Sequence, residues 1–279
     1  MSKRALMFTG IVGLTLAGSA QAAPSLTALD GVLDSSAFAG KYEGDVLPQN
    51  AGLGFVLGDP NAIFGTPADP ASLASSGGVD YLRLDTDTNT SLPANQYGDA
   101  YFWKKTDGVG TWNPDDSSIG GYTVELRAII RASNSGQYGF AVREIDQNTD
   151  GLVQFFKDKI IGPNDSAASG AVPTADNSDT WHTFRIASYS PPGSSAGQIF
   201  QVWRDGVEIA PALAQNTNFF PESLSFGDLV SGSAEVNVDI DYLRWDTTGA
   251  WAPAPIPEPT SLAFVALAST LCIRRSRRS

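Results

Sequence analysis

One cysteine and one histidine are all that 279 residues offer as thiol and imidazole. That scarcity excludes a disulfide scaffold, Cys/His zinc sites, multi-His metal centres and any Cys–His nucleophile pair inside the fold. Charge is also sparse, at 17% of residues. With 28 Gly and 17 Pro beside it, this composition points to many short strands joined by turns, not to helical bundles. Basic residues are scarcest in the middle. Six of the 18 Lys and Arg lie at the two ends: Lys3, Arg4, Arg274, Arg275, Arg277 and Arg278. Without residues 1–22 and 257–279 the chain holds 12 bases against 29 acids, a formal −17. Such a surface repels phosphate backbones and excludes nucleic acid as a partner. It suits solubility outside a cell, cation binding or neutral polymers.

The first 22 residues have the order of a secretory signal peptide. Lys3 and Arg4 give the positive start, residues 5–17 the apolar run, and Ala20-Gln21-Ala22 the small-x-small cleavage pattern. The apolar run is short and broken by glycine, which disfavours a membrane span. Export with cleavage by signal peptidase after Ala22 is expected.

At the other end, Pro253, Pro255 and Pro257 predict an extended stalk without ladder pairing. Pro257-Glu258-Pro259 follows, then the apolar run TSLAFVALASTLCI (260–273), then the arginine cluster led by Arg274 and Arg275. Fourteen apolar residues are marginal for a transmembrane helix, and the arginines would stay on the cytoplasmic side. This order resembles the PEP-CTERM sorting signal of bacteria that make exopolysaccharide. The resemblance implies that an exosortase, a membrane cysteine protease, recognises Pro257-Glu258-Pro259. The protein would then be released or passed to the cell surface after transient anchoring through the C-terminal segment. Cys272 would leave with the tail. A permanent single-pass anchor is the rival reading.

Between the ends, strand patterns dominate. Residues 121–132 (GYTVELRAIIRA) place Tyr122, Val124, Leu126, Ala128 and Ile130 on one face, with Glu125 and Arg127 beginning the other. Residues 138–145 and 152–161 read as strands flanking a turn over 146–151, where Asp150-Gly151 is the hairpin signal. Residues 181–189 form another strand. Residues 199–204 and 207–209 meet at Asp205-Gly206, and 235–245 closes the series. Residues 80–86 (DYLRLDT) repeat as 241–247 (DYLRWDT) with one change, which predicts two neighbouring strands in similar surroundings.

The succession GYTVELRAII, hairpin, WHTFRI, FQVWRDGVEI and FGDLVSGSAEVNVDIDYLRW resembles the concanavalin A-like lectin/glucanase jelly rolls, including LamG-type modules. The resemblance covers roughly residues 120–250. It implies an all-β fold, a two-sheet antiparallel jelly-roll sandwich over residues 23–251. A Pro-rich linker (252–259) and the short apolar helix with its Arg-rich tail (260–279) would follow. Such folds host lectins, hydrolases and adhesive modules alike, so the fold selects none of them.

The candidate residues follow from chemistry. Laminarinase-type glucanases on this fold carry an E-I-D-x-x-E strand, and Glu144 and Asp146 fit its first two places. Thr149 stands where the last Glu belongs, so a polar strand end is the simpler account. Asp146, Asn148, Asp150 and Gly151 spell the first half of a calcium loop, but Lys157 stands at its twelfth position, which excludes an EF-hand. A partial Ca²⁺ loop or an Asx-rich turn remain. Asp85, Asp87 and Asn89, and Asp107, Asp115 and Asp116, are weaker acid groups of the same kind. His182 beside Trp181 has no Ser or acid motif and reads as a satisfied strand histidine. Tyr101, Trp103 and Trp112 are the candidate sugar-stacking rings; Trp181, Trp203 and Trp245 fall on strands, where core burial is the default.

Together these point to an exported, surface-delivered protein without catalytic activity that binds carbohydrate or serves an exopolysaccharide matrix. Two alternatives stand beside it: a glycoside hydrolase or lyase using Glu144 and Asp146, and a purely structural coat protein.

Overall fold

The computed structural model describes residues 29–58, 71–86, 101–105, 112, 121–133, 139–145, 149–162, 171–189, 199–214, 216–217, 223–228 and 236–254. Both sorting segments lie outside these residues, as do Asp87, Asn89, Asp107, Asp115, Asp116, Asp146 and Asn148. Among the described residues no helix is long and apolar enough to cross a membrane.

The chain opens with β1 (Gly31–Leu33), β2 (Gly40–Tyr42), β3 (Val56–Gly58), β4 (Ala71–Ser76) and β5 (Val79–Asp85). Next come β6 (Tyr101–Lys105), β7 (Tyr122–Ser133), β8 (Phe140–Ile145), β9 (Thr149–Phe155), β10 (Lys159–Ile161) and β11 (Ala171–Pro173). The remainder holds β12 (His182–Tyr189), β13 (Ile199–Arg204), β14 (Val207–Ala214), β15 (Asn216–Thr217), β16 (Ser223–Gly227), β17 (Val236–Asp246) and β18 (Trp251–Pro253). The first sheet runs β14-β13-β12-β7-β17-β5-β4, with β2 also on β17. The second runs β11-β10-β9-β8-β16-β6-β3, with β15 on β9. Pairing within both is antiparallel, and the two sheets stack as a jelly-roll sandwich.

Alternation drives the stacking. Tyr122, Val124, Leu126, Ala128 and Ile130 of β7 are all fully buried, as the sequence pattern predicts. Burying each large apolar side chain is worth about 1.5–3 kcal/mol. Aromatic contacts join the layers: Phe155 of the second sheet meets Phe184 of the first at 5.0 Å between ring centroids. Phe55 packs edge-on against Phe226 at 5.4 Å and Trp245 at 5.7 Å.

Gly40 lies opposite Trp245 in the β2–β17 ladder, and a Cβ there would stand 1.9 Å from the indole Cε2. The substitution Gly40→Ala must therefore displace a buried Trp or the whole of β2, at about 1–3 kcal/mol. Urea unfolding should show the lower midpoint, and the near-ultraviolet tryptophan dichroism should change with it.

Local signals mostly land where expected. Asp205 (φ 51°) and Gly206 (φ 75°) form the two-residue turn between β13 and β14, the left-handed geometry that Asp-Gly suits. The two copies of the echo lie on adjacent strands: Ile240 pairs with Leu82 and Asp239 with Arg83. Three details differ. Asp150 and Gly151 belong to β9, opposite Ile145 and Glu144, so the turn falls earlier than the Asp-Gly signal suggests. The strand expected over 152–161 is two strands, because the chain reverses after Phe155 and Phe156 N–H donates to Lys159 O at 2.9 Å. Pro253 does enter a ladder, opposite Leu33, as β18 pairs in parallel with β1. This two-stranded ribbon leaves each strand one unpaired flank, where a missing N–H costs nothing.

Candidate functional site

A sandwich offers two outer faces, and here they are furnished differently. On the first sheet, Arg185 and Glu125 form an ion pair in which each side chain is only 1% exposed. Arg185 Nε donates to Glu125 Oε2 at 2.8 Å, and its Nη1 donates to Leu33 O and Ala252 O, both at 2.7 Å. One guanidinium thus fastens both strands of the β1–β18 ribbon to the sheet. Tyr242 donates its hydroxyl to Glu125 Oε1 at 3.1 Å.

Farther along, the buried Asp239 carboxylate accepts from Arg83 Nε at 2.7 Å and Arg131 Nε at 2.6 Å. Arg127 pairs with Asp241 and lies 5.4 Å from the Trp181 ring, which meets Tyr81 edge-on at 5.5 Å. This face is occupied by its own charge pairs and by the terminal ribbon. Trp245 is buried in the core as its strand position predicts, whereas Trp203 is buried outside it, beside Ala250 and Ala252, and Trp181 is only half-buried.

Burial, aided by the Glu125 charge, pushes the Tyr242 phenol up to about 12, and burial also raises Tyr42. A raised folded-state value stabilises fully below the unfolded phenol near 10 and is lost as pH climbs through about 12. Absorbance titration near 295 nm should therefore show these two phenols ionising last, together with alkaline unfolding. Their ionisation with the exposed tyrosines would contradict their burial.

His182 is held on both ring nitrogens: Nδ1 lies 2.7 Å from Asp205 Oδ2, and Nε2 lies 2.8 Å from Asp179 Oδ1 and from Arg204 Nη2. The hydrogen bond with His182 holds Asp179 below the ordinary carboxylate range. The histidine is a structural strand residue, as its sequence context indicates.

The second sheet is different. Phe140 and Val142 of β8 point into the core, so alternation turns Arg143 away from it. Ser223 and Ser225 lie on that same side of β16, since Leu224 and Phe226 are core residues. Register builds rows across the sheet. Trp103, Ser225, Arg143 and Leu152 are successive partners in one row. Tyr101, Gly227, Ala141 and Gln154 form the next. Ser225, Ala141 and Gln154 are nearly or fully buried although they face away from the core, so this part of the face is closed to solvent. Gln154 accepts from Gly139 N–H at 3.3 Å, while its buried Nε2 has no hydrogen-bond partner. Arg143 and Leu152 are the half-buried members of these rows, so a ligand on this face would meet them first.

The residues singled out from sequence divide accordingly. Tyr101 and Trp103 occupy register positions beside Arg143 and Gln154, whereas Trp112 does not join them. It is fully buried, edge-on to Tyr122 at 5.0 Å, and a ring enclosed in the core offers no platform to a sugar. Glu144 is fully buried and shares its side of β8 with Phe140 and Val142. A carboxyl there is out of a substrate's reach. Of the calcium spelling only Asp150 and Gly151 are described, and Asp150 stands in a ladder between Ile145 and Asn216. Asp85 accepts from Asn237 Nδ2 at 2.9 Å. Among the described residues no group of three or more acids, His or Cys is arranged around a common cation position.

No family model and no curated protein matches the chain. Solved structures do. A carbohydrate esterase from the Shiga toxin-encoding bacteriophage phi24B aligns over 77% of this chain and 99% of its own, at TM-score 0.47 and 14% identity. An alginate lyase of polysaccharide lyase family 7 aligns over 72% and 98%, at 0.44 and 11%. Domain 4 of a GH43 extracellular arabinanase from Geobacillus stearothermophilus, in complex with arabinotriose, aligns over 78% and 94%, at 0.44 and 12%. The likeness is one of chain path. It assigns no activity.

Proposed function

We propose that this is an exported, non-catalytic protein that binds polysaccharide on the outer face of its second sheet. One observation carries the reading: register gathers Tyr101, Trp103, Arg143 and Ser225 into two adjacent rows on one outer face of the sandwich. The opposite face is occupied by its own ion pairs, in which arginines hold Asp239, Asp241 and Glu125. The formal −17 of the body favours neutral over acidic polymers. The position of Glu144 supports binding without hydrolysis. Delivery through a signal peptide and exosortase processing is part of the same proposal and rests on the terminal motifs. Intact mass of secreted material should show both ends removed.

Affinity gel electrophoresis against neutral and acidic polysaccharides tests the binding. The protein should be retarded by at least one neutral polymer, and Arg143→Ala should weaken that retardation about tenfold. Migration indifferent to every polymer would end the proposal.

A further inference from the structure

Four strands end the main paths of the two sheets, β14 and β4 on the first and β11 and β3 on the second; β2 and β15, off these paths, have only three and two residues. An open sheet edge invites pairing with another chain, and proteins guard against it with short strands, proline or charge. Three of the four edges carry such guards. β11 has three residues and ends in Pro173, β3 has three and ends in Gly58, and β14 contains Glu208 and Pro211. β4 has six residues, Ala71-Ser72-Leu73-Ala74-Ser75-Ser76, with no charge and no proline.

The turn after β4 fixes which of its amides are free. Gly77 (φ 62°) and Gly78 (φ 83°) make a two-residue hairpin that closes on the pair Ser76 and Val79. In such a hairpin the closing pair exchanges both backbone hydrogen bonds, and every second pair after it does the same. Ser76, Ala74 and Ser72 therefore spend their backbone groups on β5. Ser75, Leu73 and Ala71 aim theirs at the open edge. Leu73 lies opposite the fully buried Leu82, on the core side of the sheet, yet is itself 49% exposed. Among the described residues nothing covers it.

We infer that β4 is a self-association edge, on which a second copy of this chain adds its own β4 in antiparallel fashion. The strand is its own complement. A two-fold axis at Leu73 sets Leu73 against the partner's Leu73 and Ala71 against the partner's Ser75. All three outward-facing residues of each copy then exchange backbone bonds, and the two leucines cover each other. The strip is uncharged on a body of formal −17, so like charge does not oppose approach there. The contact is isologous and closes at two copies, which gives a dimer and not a fibre. One strand pair is small beside the ~1,600 Å² of standard interfaces, so the dimer is weak and depends on concentration.

Sedimentation velocity combined with amide exchange tests this on the purified protein. Raising the concentration should bring a two-copy species and slow exchange at Leu73 and Ser75, while Ser72, Ala74 and Ser76 stay protected throughout. Leu73→Lys faces two like charges across the axis, and Ser75→Pro removes an outward amide that the monomer does not use. Each should weaken self-association by at least about tenfold and leave the thermal midpoint unchanged. A monomer at every concentration would overturn the inference. So would a dimer indifferent to both variants, or protection of Leu73 and Ser75 only on adding an unrelated extended peptide.

Discussion

Replacing Arg185 with Met is expected to destabilise the protein by about 3–5 kcal/mol, because it leaves the Glu125 carboxylate buried without its cation. Both side chains are 1% exposed, so water cannot take over the lost contact. The same guanidinium also serves Leu33 O and Ala252 O, and its loss should let the β1–β18 ribbon lift from the sheet. Two readouts separate these effects. Guanidinium chloride unfolding gives the global loss, and amide exchange over β1 and β18 gives the local one. The double variant Arg185→Met, Glu125→Gln should recover much of the global stability but little of the ribbon protection. A single variant within about 1 kcal/mol of the parent would show that the pair is solvated.

Phe226→Ala should cost a similar amount, about 3–5 kcal/mol, by opening a cavity between the layers. Phe226 lies 5.4 Å from both Phe55 and Phe102 and 6.1 Å from Tyr42, measured between ring centroids, so it joins segments far apart in the chain. Urea unfolding should report the full loss. Phe226→Leu, which keeps most of the volume, should cost only about 1 kcal/mol. Equal effects from the two would mean that the site collapses freely around any residue. The intimate packing of Phe55 on Trp245 argues against such freedom.

These two sites also mark what a sequence can and cannot reveal. Strand β7 is legible because Tyr122, Val124, Leu126, Ala128 and Ile130 alternate over a deeply buried stretch. The β13–β14 hairpin is legible because Asp205-Gly206 meets a specific backbone demand. The echo between 80–86 and 241–247 correctly indicates adjacent strands, since both need the same mixture of core residues and outward charge. Short strands without alternation, such as β1, β2 and β18, carry no local signal. Their pairing is non-local, and β1 and β18 are both held by one arginine, which lies more than a hundred residues away from Leu33.

The candidate site shows a different limit. Reading Glu144 with Asp146 gives a pair at catalytic spacing. Counting alternation from Phe140 and Val142 instead places Glu144 inside and Arg143 outside. The apolar residues of the same strand held the answer, and a motif match passes over them. Gln154 could not be singled out in the same way. A glutamine in a strand is ordinary, and only its burial with a free Nε2 sets it apart. Trp112 lies within a Gly- and Pro-rich stretch that looks exposed, yet the ring seals the core against Tyr122.

The most direct measurement is amide exchange of the protein with and without a polysaccharide that retards it in gels. Added protection concentrated on β6, β8, β9 and β16 is the result this account requires. Protection confined to the arginine-filled face of β5, β7, β12 and β17, or no change on any strand at saturating polymer, would contradict it.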